Sequence, residues 1–123
     1  MAGTIVADTL THSTAGSLDT SYVVNGSAKA WVNFDGTGTI ATRDSLSVSG
    51  LVDNGTGNYT VNITNALSND DYASVASGNN ALSLQYPFQA RNSSSSACQI
   101  GSYNLSSFAD MANVHLILHG DLA

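Results

Sequence analysis

An all-β fold is predicted, an antiparallel sandwich of jelly-roll type or an open barrel with a short N-terminal arm, and three observations predict it. Short runs alternate apolar and polar residues at a period of two, Asn-Gly and Asp-Gly turns punctuate them, and the usual formers of exposed helix faces are scarce. Glu is absent, and Lys plus Arg number 3. The alternation is cleanest in LVDNGTGNYTVNIT, Leu51 to Thr64, where Tyr59, Val61 and Ile63 face one way and Asn58, Thr60 and Asn62 the other. Asp53 to Gly57 supply the turn, so a hairpin is the economical reading.

In chain order, TIVADTL (Thr4 to Leu10) predicts a first short strand, set apart by a polar connection from Thr11 to Gly26. Residues 1–26 are therefore expected to form an arm and its connection, and 27–123 a single sandwich domain. SAKAWVNF predicts the next strand, with Ala30, Val32 and Phe34 on one face and Lys29, Trp31 and Asn33 on the other. DGTG turns the chain into TIATRDSLSVSGLV, where Leu46 and Val48 are expected to point inward. After the hairpin, DYASVA, ALSLQY, ACQIGSY and NVHLILH are further strands, separated by NALSND, SGNN and RNSSSSA. Strands at this spacing, with no helix long enough for a crossover, imply packed antiparallel sheets.

Composition narrows the function. Ser, Thr, Asn and Gly account for 52 of the 123 residues, and charged residues are 10% of the chain, against roughly a quarter in an average soluble domain. The surface must be mainly neutral and hydrogen-bonding. All nine acidic residues are Asp and the net charge is -6, which removes the basic footprint that nucleic acid requires. No run approaches the roughly 18 apolar residues of a membrane-spanning helix, and MAGTIVADTLTHSTAG lacks the charged leader and apolar stretch of a signal peptide, so cytoplasmic folding is expected. The six N-x-S/T matches follow from an Asn- and Ser-rich composition.

Reactive chemistry is sparse. Cys98 has no partner for an intrachain disulfide and reads as a buried thiol in a strand. Adjacent Asp70 and Asp71 cannot face each other as a glycosidase pair, and His115 and His119 in a strand stand about 13 Å apart, too far to share an ion. FDGTG and DNGTG lack the ligand series of a calcium loop and the Lys-Ser/Thr ending of a phosphate loop, and no GxSxG elbow is present. No catalytic residue, metal or cofactor is expected.

The run Ala28 to Val75, AKAWVNFDGTGTIATRDSLSVSGLVDNGTGNYTVNITNALSNDDYASV, resembles a β-rich module of bacteriophage tail-fibre-like and related virion proteins. Members carry similar KAWVNF, GTGT, RDS, DNGTG and YTVNFT segments in the same order, and the likeness covers a little over a third of this chain. The resemblance implies a non-enzymatic virion structural protein, assembled in the host bacterial cytoplasm. A homotrimeric tail fibre or spike component touching host-surface glycans is its leading form. A short chain beginning at Met1 fits a capsid decoration protein equally, and a free-standing sugar-binding sandwich is the reading outside the virion.

Trp31 is the first candidate contact, because it lies opposite the predicted core face beside Lys29. Packing against a partner subunit is favoured there over sugar stacking, with burial in the core as the alternative. Ile5 and Val6, in the strand expected of the arm, are candidates for pairing with a neighbouring subunit or another virion protein as an added strand. Outward loops at Ser68 to Tyr72 and Ser77 to Asn80, and YPFQARNSSSS with Tyr86, Phe88, Arg91 and Asn92, are the candidate receptor contacts.

Overall fold

The computed structural model describes residues 3–80 and 87–123. It is 57% strand and 6% helix, with antiparallel sheets that do not close into a barrel, so the chain is an all-β sandwich. The arm holds β1 (Thr9–His12), β2 (Gly16–Asp19) and the short helix α1 (Thr20–Gly26). The body holds β3 (Ala30–Asp35), β4 (Ala41–Leu46), β5 (Val48–Asp53), β6 (Asn58–Ile63), β7 (Ala73–Asn79), β8 (Phe88–Ser94), β9 (Ala97–Asn104), β10 (Ser107–Phe108) and β11 (Asn113–His119). One sheet has the order β4-β3-β11-β7. The other runs β5-β6-β9, with β8 along the far side of β9 and β10 at its end. Ser102 donates its N–H to the Gly57 carbonyl at 2.8 Å and accepts from the Ala109 N–H at 3.0 Å, so β10 follows β6 along one edge of β9.

The period of two decides what lies between the sheets. Ala30, Val32 and Phe34 of β3 and Val114, Leu116 and Leu118 of β11 face Tyr59, Val61 and Ile63 of β6 and Cys98 and Ile100 of β9, all buried. Phe34 and Tyr59 meet edge to face, with ring centres 5.2 Å apart, a geometry worth about 1 kcal/mol beyond burial alone. A register shift between Val48 and Gly50 lets both Val48 and Leu51 pack inward although they are three residues apart. Burial among these apolar groups pushes the Cys98 thiol pKa up, which keeps the thiol protonated and inert.

Tyr59 also closes one end of the sandwich. Its single hydroxyl proton is shared between the Gly36 carbonyl at 2.9 Å and Asp110 Oδ1 at 3.0 Å, and the same carboxylate oxygen accepts from the Gly57 N–H at 2.7 Å. One aromatic side chain thus ties the turn after β3, the β5–β6 hairpin and the segment before β11.

The two seams differ. At one, β4 and β5 belong to different sheets and meet at Ser47, whose φ of 56° bends the chain sharply. The sequence expectation that Leu46 and Val48 both point inward therefore holds for Val48 and fails for Leu46, since the corner turns Leu46 to the outside of its own sheet. At the other seam Asn92 of β8 reaches across to β7. Its Nδ2 donates to the Tyr72 carbonyl at 2.6 Å and the Asp70 carbonyl at 2.9 Å, while Oδ1 accepts from the Ser74 hydroxyl at 2.7 Å.

Three further expectations need correction. TIVADTL is not a strand: Gly3 to Ala7 are irregular, and only Thr9–His12 pairs, with β2, in a small hairpin. The segment FQARNSS, expected as an outward loop, is strand β8, because inward Phe88 and Ala90 give it an apolar face that its polar alternates hide. Ser77 to Asn79 likewise continue β7 instead of forming a loop. The candidate strand ALSLQY lies outside the described residues.

Candidate assembly surface

Trp31 stands on the outer face of β3, because its neighbours Ala30 and Val32 fill the core. Register then fixes what lies beside it. Leu46 of β4 pairs with Trp31, Trp31 with Ile117 of β11, and Ile117 with Val75 of β7. Four apolar side chains therefore line up across all four strands, a row about 14 Å long at the usual interstrand spacing. Trp31 is half-buried, while Leu46, Ile117 and Val75 are 49%, 45% and 67% exposed. The adjacent row on the same face is polar: Asp44, Asn33, His115 and Ser77. An apolar stripe edged by polar groups on an open sheet face is a candidate contact surface.

Lys29 does not join this row. Its ammonium donates to the carbonyls of Val24 and Ser27, the latter at 2.8 Å, and so holds the C-terminal end of α1. Its backbone N–H donates to the Leu118 carbonyl at 2.9 Å. Lys29 therefore fastens the arm to the start of β3. The arm has no interior: Gly3 to Gly26 contain no buried residue. Asp19 caps α1 by accepting from the Ser21 N–H at 2.9 Å, and these bonds hold its carboxyl below the usual range. Ile5 and Val6 are 91% and 92% exposed, and Leu10, Leu18, Tyr22, Val23 and Val24 are exposed as well.

The candidate receptor residues do not form one site. Phe88 packs inward against the core, Asn92 clamps the β7–β8 seam, and Arg91 points outward from β8. Tyr86 lies outside the described residues. Asp70 and Asp71 are exposed in a loop, and His115 and His119 sit four residues apart along β11. Among the described residues no three His, Cys, Asp or Glu side chains converge on a metal site, and no helix is long and apolar enough to cross a membrane. Sequence reasoning found Trp31 but missed Leu46, Ile117 and Val75, because membership of the row depends on strand register. No family model, curated protein or solved structure matches the chain.

Proposed function

We propose that this chain is a non-enzymatic structural protein of a bacteriophage particle, displayed on its surface as a homotrimeric tail fibre or spike component and joined to other virion proteins through its arm. The observation that carries the reading is the row Leu46, Trp31, Ile117 and Val75. Charged residues are few, so this apolar stripe stands out against a neutral polar surface that would otherwise suit a monomer. Closed rotational symmetry lets copies of the chain cover one another's stripes without building an open filament. The order of KAWVNF, GTGT, RDS, DNGTG and YTVNIT supports the virion context. The arm supports attachment, since an element with seven exposed large apolar side chains and no interior gains stability when laid on another protein.

Two measurements test the reading. Sedimentation of the intact chain should give a trimer that Trp31→Asp converts to monomer, whereas a stable 12.6 kDa species at micromolar concentration would refute assembly through this face. Mass spectrometry of purified particles should find the chain, and antibody labelling should place it on the tail. Labelling on the head would make it a shell decoration protein, for which the same arm and stripe serve. Absence from particles would remove the virion assignment.

A further inference from the structure

The outer face of the other sheet carries a groove of about 210 Å³, and its walls follow from register. Gly101 of β9 pairs with Asn58 of β6 on one side and Gln89 of β8 on the other. Two side-chain amides thus flank a residue with no side chain. Two residues along β9, Gln99 pairs with Arg91, which adds a third amide and a guanidinium at one end. At the opposite end Tyr103 stacks on Phe108, ring centres 4.5 Å apart and 28° from parallel. Phe108 is 46% exposed although its strand is only two residues long.

Gly101 favours this shape. A Cβ there would stand 3.2 Å from Phe108 and 3.3 Å from Tyr103, so a side chain would press both rings aside by a few tenths of an ångström. Glycine inside a strand weakens it, and at Gly101 the space it leaves admits the edges of the Phe108 and Tyr103 rings. Arg91 also stands apart electrostatically. Of the three cationic side chains in the chain, Lys29 holds the end of α1 and Arg43 bonds Asp35 at 3.0 Å and the Ala112 carbonyl at 2.6 Å. Among the described residues Arg91 has no carboxylate partner.

We infer that this groove binds a sugar ring, its C–H face against the exposed part of Phe108, whose ring is backed by Tyr103, and its hydroxyls to the amides of Asn58 and Gln99 and to the NH2 of Gln89, whose Oε1 already accepts from the Tyr103 hydroxyl at 3.3 Å. The chemistry fits on both counts. Aromatic faces take the apolar side of a pyranose, and carboxamides both donate to and accept from hydroxyls. The volume lies below the roughly 300 Å³ at which enclosed small-molecule clefts begin, so the groove holds one ring of a glycan and leaves the rest in solvent. Arg91 at the rim donates to a ring hydroxyl or to the carboxylate of an acidic sugar. The inference does not depend on where the chain resides, because it concerns the isolated protein.

The test is a titration of ¹⁵N-labelled intact protein with the methyl glycosides of glucose, galactose, mannose and glucuronic acid, with glycerol as the control. Shifts should appear at the Gly101 amide and at the side-chain amides of Asn58, Gln89 and Gln99, with a dissociation constant on the order of millimolar for a single ring. Tighter binding of the glucuronide, lost in Arg91→Gln, would identify an acidic sugar; equal binding of a neutral glycoside would identify a neutral one. Phe108→Ala should weaken either by about fivefold or more, from loss of one aromatic contact. Gln99→Ala supplies a second variant that leaves the aromatic pair in place, and unchanged signals from the Trp31 face would show that each variant is folded. No shift with any of the four, shifts equalled by glycerol, or unaltered affinity in both variants would overturn the site.

Discussion

Gly55 and Gly57 lie in the same hairpin turn, both with positive φ, yet alanine at the two positions should have different consequences. Gly55 has a φ of 114° and a Cβ built there meets nothing within 4 Å, so Gly55→Ala adds backbone strain alone, about 1–2 kcal/mol. Gly57 has a φ of 63°, and its Cβ would stand 2.6 Å from Ala109 N, 2.6 Å from Ser102 O and 2.8 Å from Ala109 O. These are backbone atoms of β9 and of the segment after β10, which cannot swing aside. Relief requires moving the turn away, which breaks the Ser102-to-Gly57 and Gly57-to-Asp110 hydrogen bonds. With about 1 kcal/mol of strain and roughly 1 to 2 for each bond, Gly57→Ala should cost about 4 kcal/mol. For a domain of this size that is a fall in Tm of roughly 15 °C. Urea denaturation monitored by Trp31 fluorescence measures both variants. Gly57→Asn separates the causes, since Asn tolerates the left-handed region but still carries a Cβ. Equal losses at positions 55 and 57, or rescue by Gly57→Asn, would refute the steric argument.

Three other expectations follow from the fold. Asn92→Ala should lower stability by about 2 kcal/mol through three lost hydrogen bonds across the β7–β8 seam, and a change under about 0.5 kcal/mol in urea denaturation would show that the seam holds without it. Ser47→Gly should raise stability by about 1 kcal/mol, because it relieves a positive φ and removes a buried hydroxyl with no partner among the described residues; a lower Tm would count against this. Tyr59 and Tyr72 have their phenol pKa values raised, chiefly by burial, so the folded chain keeps protons that the unfolded chain releases above about pH 10. Stability should therefore be unaffected by these groups below pH 10 and fall as pH rises beyond it, and a denaturation midpoint constant from pH 9 to 11 would contradict that.

The hairpin, β9 and β11 were legible because each carries enough alternating apolar residues to show which face is buried. So was the outward placement of Trp31, which follows from its parity with Ala30 and Val32. Strand β8 was hidden because FQARNSS offers only Phe88 and Ala90 to the core, and its Asn and Ser residues read as a connection. The inward direction of Leu46 failed for a different reason: the break at Ser47 is a corner in a run that otherwise looks continuous, and no Gly or Pro marks it. Both candidate surfaces depend on which residue faces which across strands. That is a tertiary property, so single residues such as Trp31 and Arg91 could be nominated while their neighbours could not.

The route from the arm into the body has a mechanical meaning. Three residues after α1 the chain enters β3, which is bonded along both edges, to β11 and to β4. A pull applied through the arm would load an interior strand at its N-terminal end, just after the Lys29 N–H that is fastened to the Leu118 carbonyl. Drawn lengthwise, β3 must shear past two partners together before it can leave. Peeling an outer strand would break its bonds one at a time. A module tethered in this way meets tension with a strand held on both edges.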